Sequence, residues 1–434
     1  MARLFFKGGV HPPERKTTEA LPIEVLPPPQ LAVVPLQQHL GKPARPVVKK
    51  KDEVLRGQRI GEADGFISAN VHAPISGKVK AVEPRRHPVG AYVESVVIES
   101  DGEDRPVPFE GIDPEAASPD QIRKKILEAG IVGMGGAAFP TAVKVAPPKD
   151  KPIDTLILNG CECEPYLTAD HRLMLEAPEK VVRGALLLKK AIGCERWIIA
   201  VEDNKPDAVE AMRKLASPHG GEVAVPHVKY PQGAEKQLIK AVLGREVPSG
   251  GLPMDVRVVV QNVGTAAAVL DAVQEGIPLI ERVMTVSGDA VAHKKNLRVR
   301  IGTLFSEIVA FCGGASNLRK VVMGGPMMGI AQFTLDVPAV KGTSGLLLFT
   351  PGETERPEMG PCLRCGKCIE ACPMNLTPGE IARAVEKGLY DRAETLGILD
   401  CIECGCCAFV CPAMRYIVQD IKKGKAEVMA AKKK

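Results

Sequence analysis

Nine of the thirteen cysteines fall between Cys362 and Cys411, and their spacing repeats. Cys362-x2-Cys365-x2-Cys368-x3-Cys372-Pro373 is followed by Cys401-x2-Cys404-x2-Cys407-x3-Cys411-Pro412. Three thiolates spaced by two residues wrap three corners of an iron-sulfur cubane, while the fourth, beyond a turn, points away and serves the neighbouring cluster. The pattern therefore predicts two [4Fe-4S] clusters with crossed ligation. One takes Cys362, Cys365, Cys368 and Cys411, the other Cys401, Cys404, Cys407 and Cys372. Cys406 breaks the repeat and reads as a small buried side chain. A structural zinc site asks for four ligands in Cys-x2-Cys pairs, which eight cysteines in a doubled quartet do not resemble. Ile369, Leu376, Ile402, Phe409 and Val410 are expected to exclude water beside the clusters and help tune their potential, a place that ordinary core residues also fill. The chemistry of such a module is one-electron transfer.

A second constellation lies upstream. Residues 120–129 read as a helix that delivers the chain into Gly130-Ile131-Val132-Gly133-Met134-Gly135-Gly136-Ala137-Ala138-Phe139-Pro140-Thr141, with Lys144 beyond. Closely spaced glycines let backbone N–H groups approach a phosphate, although many such loops only turn the chain. Further on, an apolar strand ending Ile157-Leu158-Asn159 opens into Gly160-Cys161-Glu162-Cys163-Glu164-Pro165-Tyr166 and then Asp170-His171-Arg172. The C-terminal end of a strand is where α/β folds bind ligands. On their own, Glu162 and Glu164 read equally well as a solvated pair.

The elements that must hold these residues follow from the rest of the chain. At 434 residues it exceeds the size at which one core stops growing, so two to four domains are expected. The first part is proline-rich, with short alternating stretches such as Gly77-Lys78-Val79-Lys80-Ala81-Val82, and predicts small β structure. Its run from Val71-His72-Ala73-Pro74 to Gly77-Lys78-Val79 resembles the turn of lipoyl or biotinyl carriers without a lysine in the modification context, so a bare scaffold is expected, with His72 packed rather than ligating. From about residue 120, helices alternate with β-branched runs such as Arg196-Trp197-Ile198-Ile199-Ala200-Val201, which predicts an α/β domain with a largely parallel sheet ending near Gly276. A β-rich stretch over 282–349 and a loop over 351–360 lead to the cysteine module. Within it, residues 378–386 and 392–399 read as helices. No stretch approaches the roughly 18 consecutive apolar residues of a membrane span. Residues 1–10 contain Arg3 and Lys7 but no long apolar segment or cleavage site, so no signal peptide is expected, and the cysteines belong to metal or redox chemistry rather than disulfides. The net charge is +5, helped by Lys422, Lys423, Lys425 and Lys432 to Lys434, read as a solvated, frayed tail with a membrane surface or acidic partner as the functional alternative. Only 4% of residues are aromatic, and no nucleic-acid platform is expected.

The loop and the acidic segment resemble the flavin- and NADH-binding subunit of respiratory complex I, where Gly-Phe-Pro-Thr and Glu-Ser-Glu-Pro stand at the places of Ala138-Phe139-Pro140-Thr141 and Glu162-Cys163-Glu164-Pro165. Tyr230-Pro231-Gln232-Gly233-Ala234-Glu235 and Gln261-Asn262-Val263-Gly264-Thr265 match two further elements in the same order. The resemblance implies FMN held by Gly133, Gly135, Gly136, Lys144, Asn159, Glu162, Gly233, Glu235, Asn262 and Thr265, with Glu164 and Phe139 facing NAD(H). The chain departs from that pattern at Cys161, Cys163, Tyr166 and Ala234. Two full cysteine quartets also exceed what the complex I subunit carries. The whole order, with Gly9-Val10-His11-Pro12-Pro13 at its start, closely resembles the RnfC family of the Rnf electron transport complexes.

That resemblance implies a multidomain α/β chain. Residues 1–115 would form an N-terminal β-rich barrel-sandwich-like domain, 116–276 a Rossmann-like FMN and NADH domain, and 277–350 a small β-grasp-like domain of the soluble-ligand-binding kind. Residues 351–420 would form a helical two-cluster ferredoxin domain, with a basic tail over 421–434. The expected function is that of a peripheral subunit on the cytoplasmic side of the cell membrane, passing electrons between NAD(H), FMN and the clusters without a protein acid or base. Its partners would be the other Rnf subunits and, indirectly, ferredoxin, while the complex moves Na+ or H+. A soluble reductase of the cobalamin reductase type and an electron-wire subunit without nucleotide binding are the alternatives.

Overall fold

The computed structural model describes residues 4–432, so Arg3, Lys433 and Lys434 lie outside it. Strand β1 (Ile23–Val25) is followed by β2 (Leu31–Pro35), β3 (Arg45–Pro46), β4 (Glu53–Val54), β5 (Arg59–Glu62), β6 (Val71–His72), β7 (Gly77–Arg86) and β8 (Tyr92–Ser100). Strands β2-β8-β7-β4 form one sheet and β3-β5-β6 another. Val34, Ile60, Val71, Ile75, Val96 and Ile98 make the core between them. His72 is buried here, and burial pushes its imidazole down to about 3, so it is a neutral packing residue as its context suggested.

Helix α1 (Pro119–Glu128) opens on a capping box in which Ser118 and Gln121 satisfy each other's backbone amides. There follow α2 (Thr141–Lys144), β9 (Thr155–Asn159), α3 (Ala169–Glu176), α4 (Pro178–Ile192), β10 (Arg196–Ala200), α5 (Pro206–Ala216), β11 (Glu222–Ala224), α6 (Glu235–Leu243), β12 (Val258–Asn262) and α7 (Val263–Leu270). The sheet order is β11-β10-β9-β12 and every pairing is parallel. Helices cover both faces, which is why these strands read as unbroken apolar runs rather than alternating ones. The chain reverses direction of addition between β9 and β12. That is a topological switch point, and in α/β folds the crevice for a ligand lies outside the strand ends there.

A third unit contains β13 (Glu281–Ser287), β14 (Lys295–Arg300), α8 (Phe305–Phe311), β15 (Lys320–Met323), β16 (Ile330–Gln332) and β17 (Gly345–Phe349). Its sheet runs β1-β14-β13-β17-β15-β16, so β1 from the start of the chain forms its edge by pairing in parallel with β14. Phe305, Ile308 and Val309 of α8 enter its core.

The cysteine module holds α9 (Pro351–Thr354), α10 (Lys367–Glu370), α11 (Pro378–Glu386), α12 (Tyr390–Thr395), α13 (Cys406–Phe409) and α14 (Ile417–Ala431). Its two halves repeat in backbone conformation as well as in spacing. Arg364 and Glu403, Gly366 and Gly405, and Asn375 and Met414 are three pairs of left-handed residues at equivalent places. The helix expected over 392–399 is shorter than the sequence suggested, because α12 stops at Thr395 and Gly397 takes a left-handed turn. The frayed basic tail is overturned over most of its length. Lys422, Lys423 and Lys425 belong to α14, whose Ile417, Ile421 and Val428 pack against Ile381 and Val385 of α11. The lysines masked an apolar stripe of helical spacing. Among the described residues, no helix is long and apolar enough to cross a membrane.

Candidate functional site

Asn159 and Asn262 end β9 and β12 as direct register partners, and both side chains organise the crevice. Asn262 Oδ1 caps α7 by accepting from Gly264 N at 2.8 Å, and its Nδ2 donates to Asp170 Oδ2 at 2.6 Å. Asn159 Nδ2 donates to Gly233 O at 2.8 Å. The glycine-rich loop is tied over α7 by Met134 N, which donates to Thr265 Oγ1 at 2.9 Å. It is closed on itself by Gly133 N donating to Phe139 O at 2.8 Å. Lys144 Nζ lies 2.6 Å from Glu235 Oε1 and 2.7 Å from Val260 O. These contacts gather Gly133, Gly135, Lys144, Asn159, Gly233, Glu235, Asn262 and Thr265 around one crevice.

The crevice suits a flavin mononucleotide. Gly135 and Gly136 present exposed backbone, and a Cβ on Gly136 would meet nothing within 4 Å, so amides there are open to a phosphate. Thr141 Oγ1 and Gln261 Nε2 are buried polar atoms without a protein partner, one at the end of the loop and one at the end of β12. Glu162, by contrast, turns its carboxylate to the start of α3, accepting from Asp170 N at 2.8 Å and His171 N at 3.1 Å. Burial, and then the Glu162 charge, push Asp170 up to about 6. Glu164 is drawn away from the open crevice, since its carboxylate accepts from Met327 N at 3.0 Å and Met328 N at 2.8 Å, in the turn between β15 and β16. Burial raises it to about 7. Phe139 stays half-buried on the loop, and no hydrogen bond joins it to Glu164.

The cysteine module is arranged as two unequal halves. Cys362, Cys365, Cys368 and Cys411 line one cavity together, so the last cysteine of the second motif stands with the first triplet. Cys372 is an electrostatic neighbour of Cys401, Cys404 and Cys407. Among the described residues, no three His, Cys, Asp or Glu side chains converge as a single ion requires. The thiols of the first quartet line open space, which a cubane needs. Cys362 and Cys365 are exposed, whereas Cys372, Cys404 and Cys407 are buried, Cys407 in the module's own core and Cys404 against the flavin-like unit. There Tyr230 Oη donates to Cys404 O at 2.8 Å, and Cys163 packs with Cys404 and Cys406. Cys406 is fully buried with Sγ 3.9 Å from Tyr230 O, in the structural place its off-pattern position implied. Ile369 and Phe409 are about half exposed, at 47% and 49%, so of the expected water-excluding neighbours only Leu376, Ile402 and Val410 are partly buried.

Residues 126–271 match the Nuo51 FMN-binding domain, 4–103 the RnfC barrel sandwich hybrid domain, 283–331 the SLBB domain and 356–412 a 4Fe-4S dicluster domain. The C subunit of the Na(+)-translocating ferredoxin:NAD(+) oxidoreductase complex of Acetobacterium woodii is 49% identical, over 99% of this chain and 98% of that one. Its counterpart in the proton-translocating complex of Clostridium ljungdahlii is also 49% identical, over 98% and 94%. The chain belongs to the RnfC family. The C subunit of the ion-translocating oxidoreductase complex of Rhodobacter capsulatus is 44% identical, over 91% of this chain and 77% of that one. An NAD+-reducing [NiFe]-hydrogenase structure is similar at a TM-score of 0.49 and 20% identity, over 73% of this chain and 62% of that one, too distant to bear on function.

For a member of the RnfC family, the departures from the complex I pattern now have places. Tyr166 sits at φ +68°, a conformation glycine adopts freely, and its hydroxyl donates to Glu353 Oε1 at 2.9 Å. Cys161 is wholly buried beneath the acidic loop, and Cys163 Sγ accepts from Gly233 N at 3.2 Å. Burial pushes both thiols well up, so they are neutral. Ala234 begins α6 without a side-chain cap. Sequence reading missed the buried charges that carry the loop. Lys16 Nζ donates to the carbonyls of Glu162, Glu164 and Leu167 at 2.7, 3.0 and 2.7 Å. Lys205 Nζ donates to Cys161 O at 2.7 Å and lies 3.3 Å from Glu202 Oε2. No local pattern marks a lysine such as Lys16, whose partners are about 150 residues away.

Proposed function

We propose that this chain is the electron-transfer subunit of a membrane-bound Rnf complex, passing electrons between NAD(H), FMN and two [4Fe-4S] clusters while the complex couples ferredoxin:NAD electron transfer to movement of Na+ or H+. The observation that carries this reading is one continuous contact path, from the switch-point crevice through Gly233, Cys163 and Tyr230 to Cys404 of the second cysteine motif. When bound, FMN exchanges a hydride with the nicotinamide and single electrons with the clusters. The chain's own part is to hold and shield. Amides of the glycine-rich loop and Lys144 would meet the flavin phosphate, with Asn159, Glu162, Gly233, Glu235, Asn262 and Thr265 around the rest of the cofactor. Phe139 would face the nicotinamide nucleotide, and Glu164 would do so once it leaves the Met327 and Met328 amides. Cys372, Cys401, Cys404 and Cys407 would hold the inner cluster, and Cys362, Cys365, Cys368 and Cys411 the outer one. The exposure of Cys362 and Cys365 supports an outer cluster that faces the other subunits.

The unit limits 1–115, 116–276, 277–350 and 351–420 are proposed with it, the last extended through α14. A helix laid on a mixed sheet supports the β-grasp-like reading of the third unit, and α11, α12 and α14 packed around the cysteines support a helical ferredoxin type. A peripheral place on the cytoplasmic side of the membrane goes with these assignments. The test is anaerobic reconstitution with iron, sulfide and FMN, followed by NADH. Flavin bleaching followed by EPR signals of reduced clusters is the expected result. Clusters that dithionite reduces while NADH leaves the flavin oxidised would make the chain an electron wire instead.

A further inference from the structure

Residues 4–25 form a strap that crosses the other units, and nothing in the chemistry above uses it. It begins against the cysteine module, where Gly9 N donates to Ala371 O at 2.9 Å. Gly8 approaches the next peptide so closely that a Cβ on it would stand 2.6 Å from Cys372 O, and one on Gly9 would stand 2.7 Å from Tyr230 O. Both glycines are left-handed, at φ +75° and +82°. Val10 then exchanges hydrogen bonds with Tyr230, at 2.8 and 2.9 Å. A few residues on, the strap reaches the acidic loop. Tyr166 N donates to Glu14 O at 2.8 Å, and Lys16 takes the three carbonyls described above. Thr18 Oγ1 lies 2.6 Å from Thr168 Oγ1, and Thr18 O accepts from Asn296 Nδ2 at 2.9 Å, just before β1 joins the third unit.

One short segment therefore grips both the peptide that carries Cys372 and the loop that carries Glu162 and Glu164. Relative motion is the default between domains whose interface is modest and polar. The direct contacts between the flavin-like unit and the cysteine module combine one small apolar cluster around Tyr230, Cys404 and Cys406 with side-chain polar contacts, such as Gln237 Nε2 to Pro373 O at 3.3 Å and Ser249 Oγ to Asp400 Oδ2 at 2.5 Å. Backbone-to-backbone grips leave less slack than such side-chain contacts. We propose that the strap is a positioning element that fixes the inner cluster against the flavin crevice, an inference that rests on the function proposed above. The step it serves moves one electron from reduced flavin to oxidised inner cluster. The flavin loses one electron, the cluster gains one, and no bond in the protein changes.

The test uses full-length reconstituted protein with FMN photoreduced by EDTA as the sacrificial electron donor, so that the result does not depend on NADH, whose bleaching of the flavin is read separately and bears only on the function. Gly8→Ala is compared with Gly102→Ala, which has a similar φ of +78° but nothing within 4 Å of the added Cβ. The expected outcome is that Gly8→Ala keeps FMN and iron and lets dithionite reduce both clusters, yet slows flavin-to-cluster transfer severalfold, because electron transfer weakens as donor and acceptor are displaced. Gly102→Ala should transfer at the wild-type rate. Transfer at the wild-type rate in Gly8→Ala overturns the proposal. Should Gly8→Ala lose iron, Val10→Pro decides, because it removes the amide that bonds Tyr230 without adding bulk toward Cys372. Slowed transfer there upholds the strap and unchanged transfer sinks it.

Discussion

At the scale of single residues, spacing distinguishes cysteines that burial treats alike. Cys406 and Cys407 are adjacent, both buried and both near Cys372, but only Cys407 is on the repeat. Cys406→Ala should keep the full iron content and both EPR signals, whereas Cys407→Ser should lose or convert one cluster. Equal iron loss in the two variants would move Cys406 into the ligand set. Lys341 makes a different kind of prediction. Lys341 is 1% exposed and its Nζ donates to Asn70 O and Gly130 O at 2.6 and 2.7 Å, joining the first unit to the glycine-rich loop. Burial lowers it from the ordinary 10.5 to about 7. Between those values the unfolded chain holds a proton that the folded chain has released, so protons favour unfolding there. The stability of the wild type relative to Lys341→Met should therefore rise as pH increases from about 7 to about 10 and stay flat below that window. Denaturant unfolding of both proteins across the range checks it, and a gap that does not change with pH would mean the folded lysine keeps its proton.

At the scale of elements, the last helix shows what composition conceals. The lysines of α14 suggested a solvated tail, yet a Cβ on Gly424 would stand 2.3 Å from Val385 Cγ2 and 2.8 Å from Ile398 Cδ1. Gly424→Leu should overpack this contact with α11 and cost about 1–3 kcal/mol, read as a lower thermal midpoint and faster iron loss on warming. A surface change such as Lys423→Ala should leave both unchanged. Elements with strong local signals were legible from sequence: the capped helix α1, the strand ending at Asn159, and the helix α11 after Pro378. The edge strand β1 was not. Ile23–Val25 is three residues long, and its partner β14 lies about 270 residues away, so no local pattern could place it.

At the scale of the whole molecule, the four units meet where the strap, the acidic loop, the turn at Met327 and the cysteine module share one apolar cluster. In the proposed function, electrons entering at the flavin crevice would have a short protein-filled route to the inner cluster, with the outer cluster nearer the surface. The ion-moving step belongs to other subunits in the proposed function. NADH-driven reduction of the isolated chain should therefore run at the same rate in Na+ and in K+ at equal ionic strength. A Na+-dependent rate, measured by stopped-flow bleaching of the flavin, would place part of the coupling in this subunit.

Sequence by itself determined the chemistry. Thiolate spacing is a local property of the chain, so the cluster motifs could be read residue by residue, whereas the run of glycines showed only free backbone amides and gained a flavin through the family resemblance. The tertiary structure alone decided how these pieces are joined. It showed Glu164 held by the Met327 and Met328 amides, Lys16 beneath the acidic loop, Cys163 between crevice and cluster, and Gly8 against Cys372. Each of these contacts joins residues far apart in the chain. Their burial and hydrogen bonding depend on how separate units pack, which no periodicity within one segment encodes.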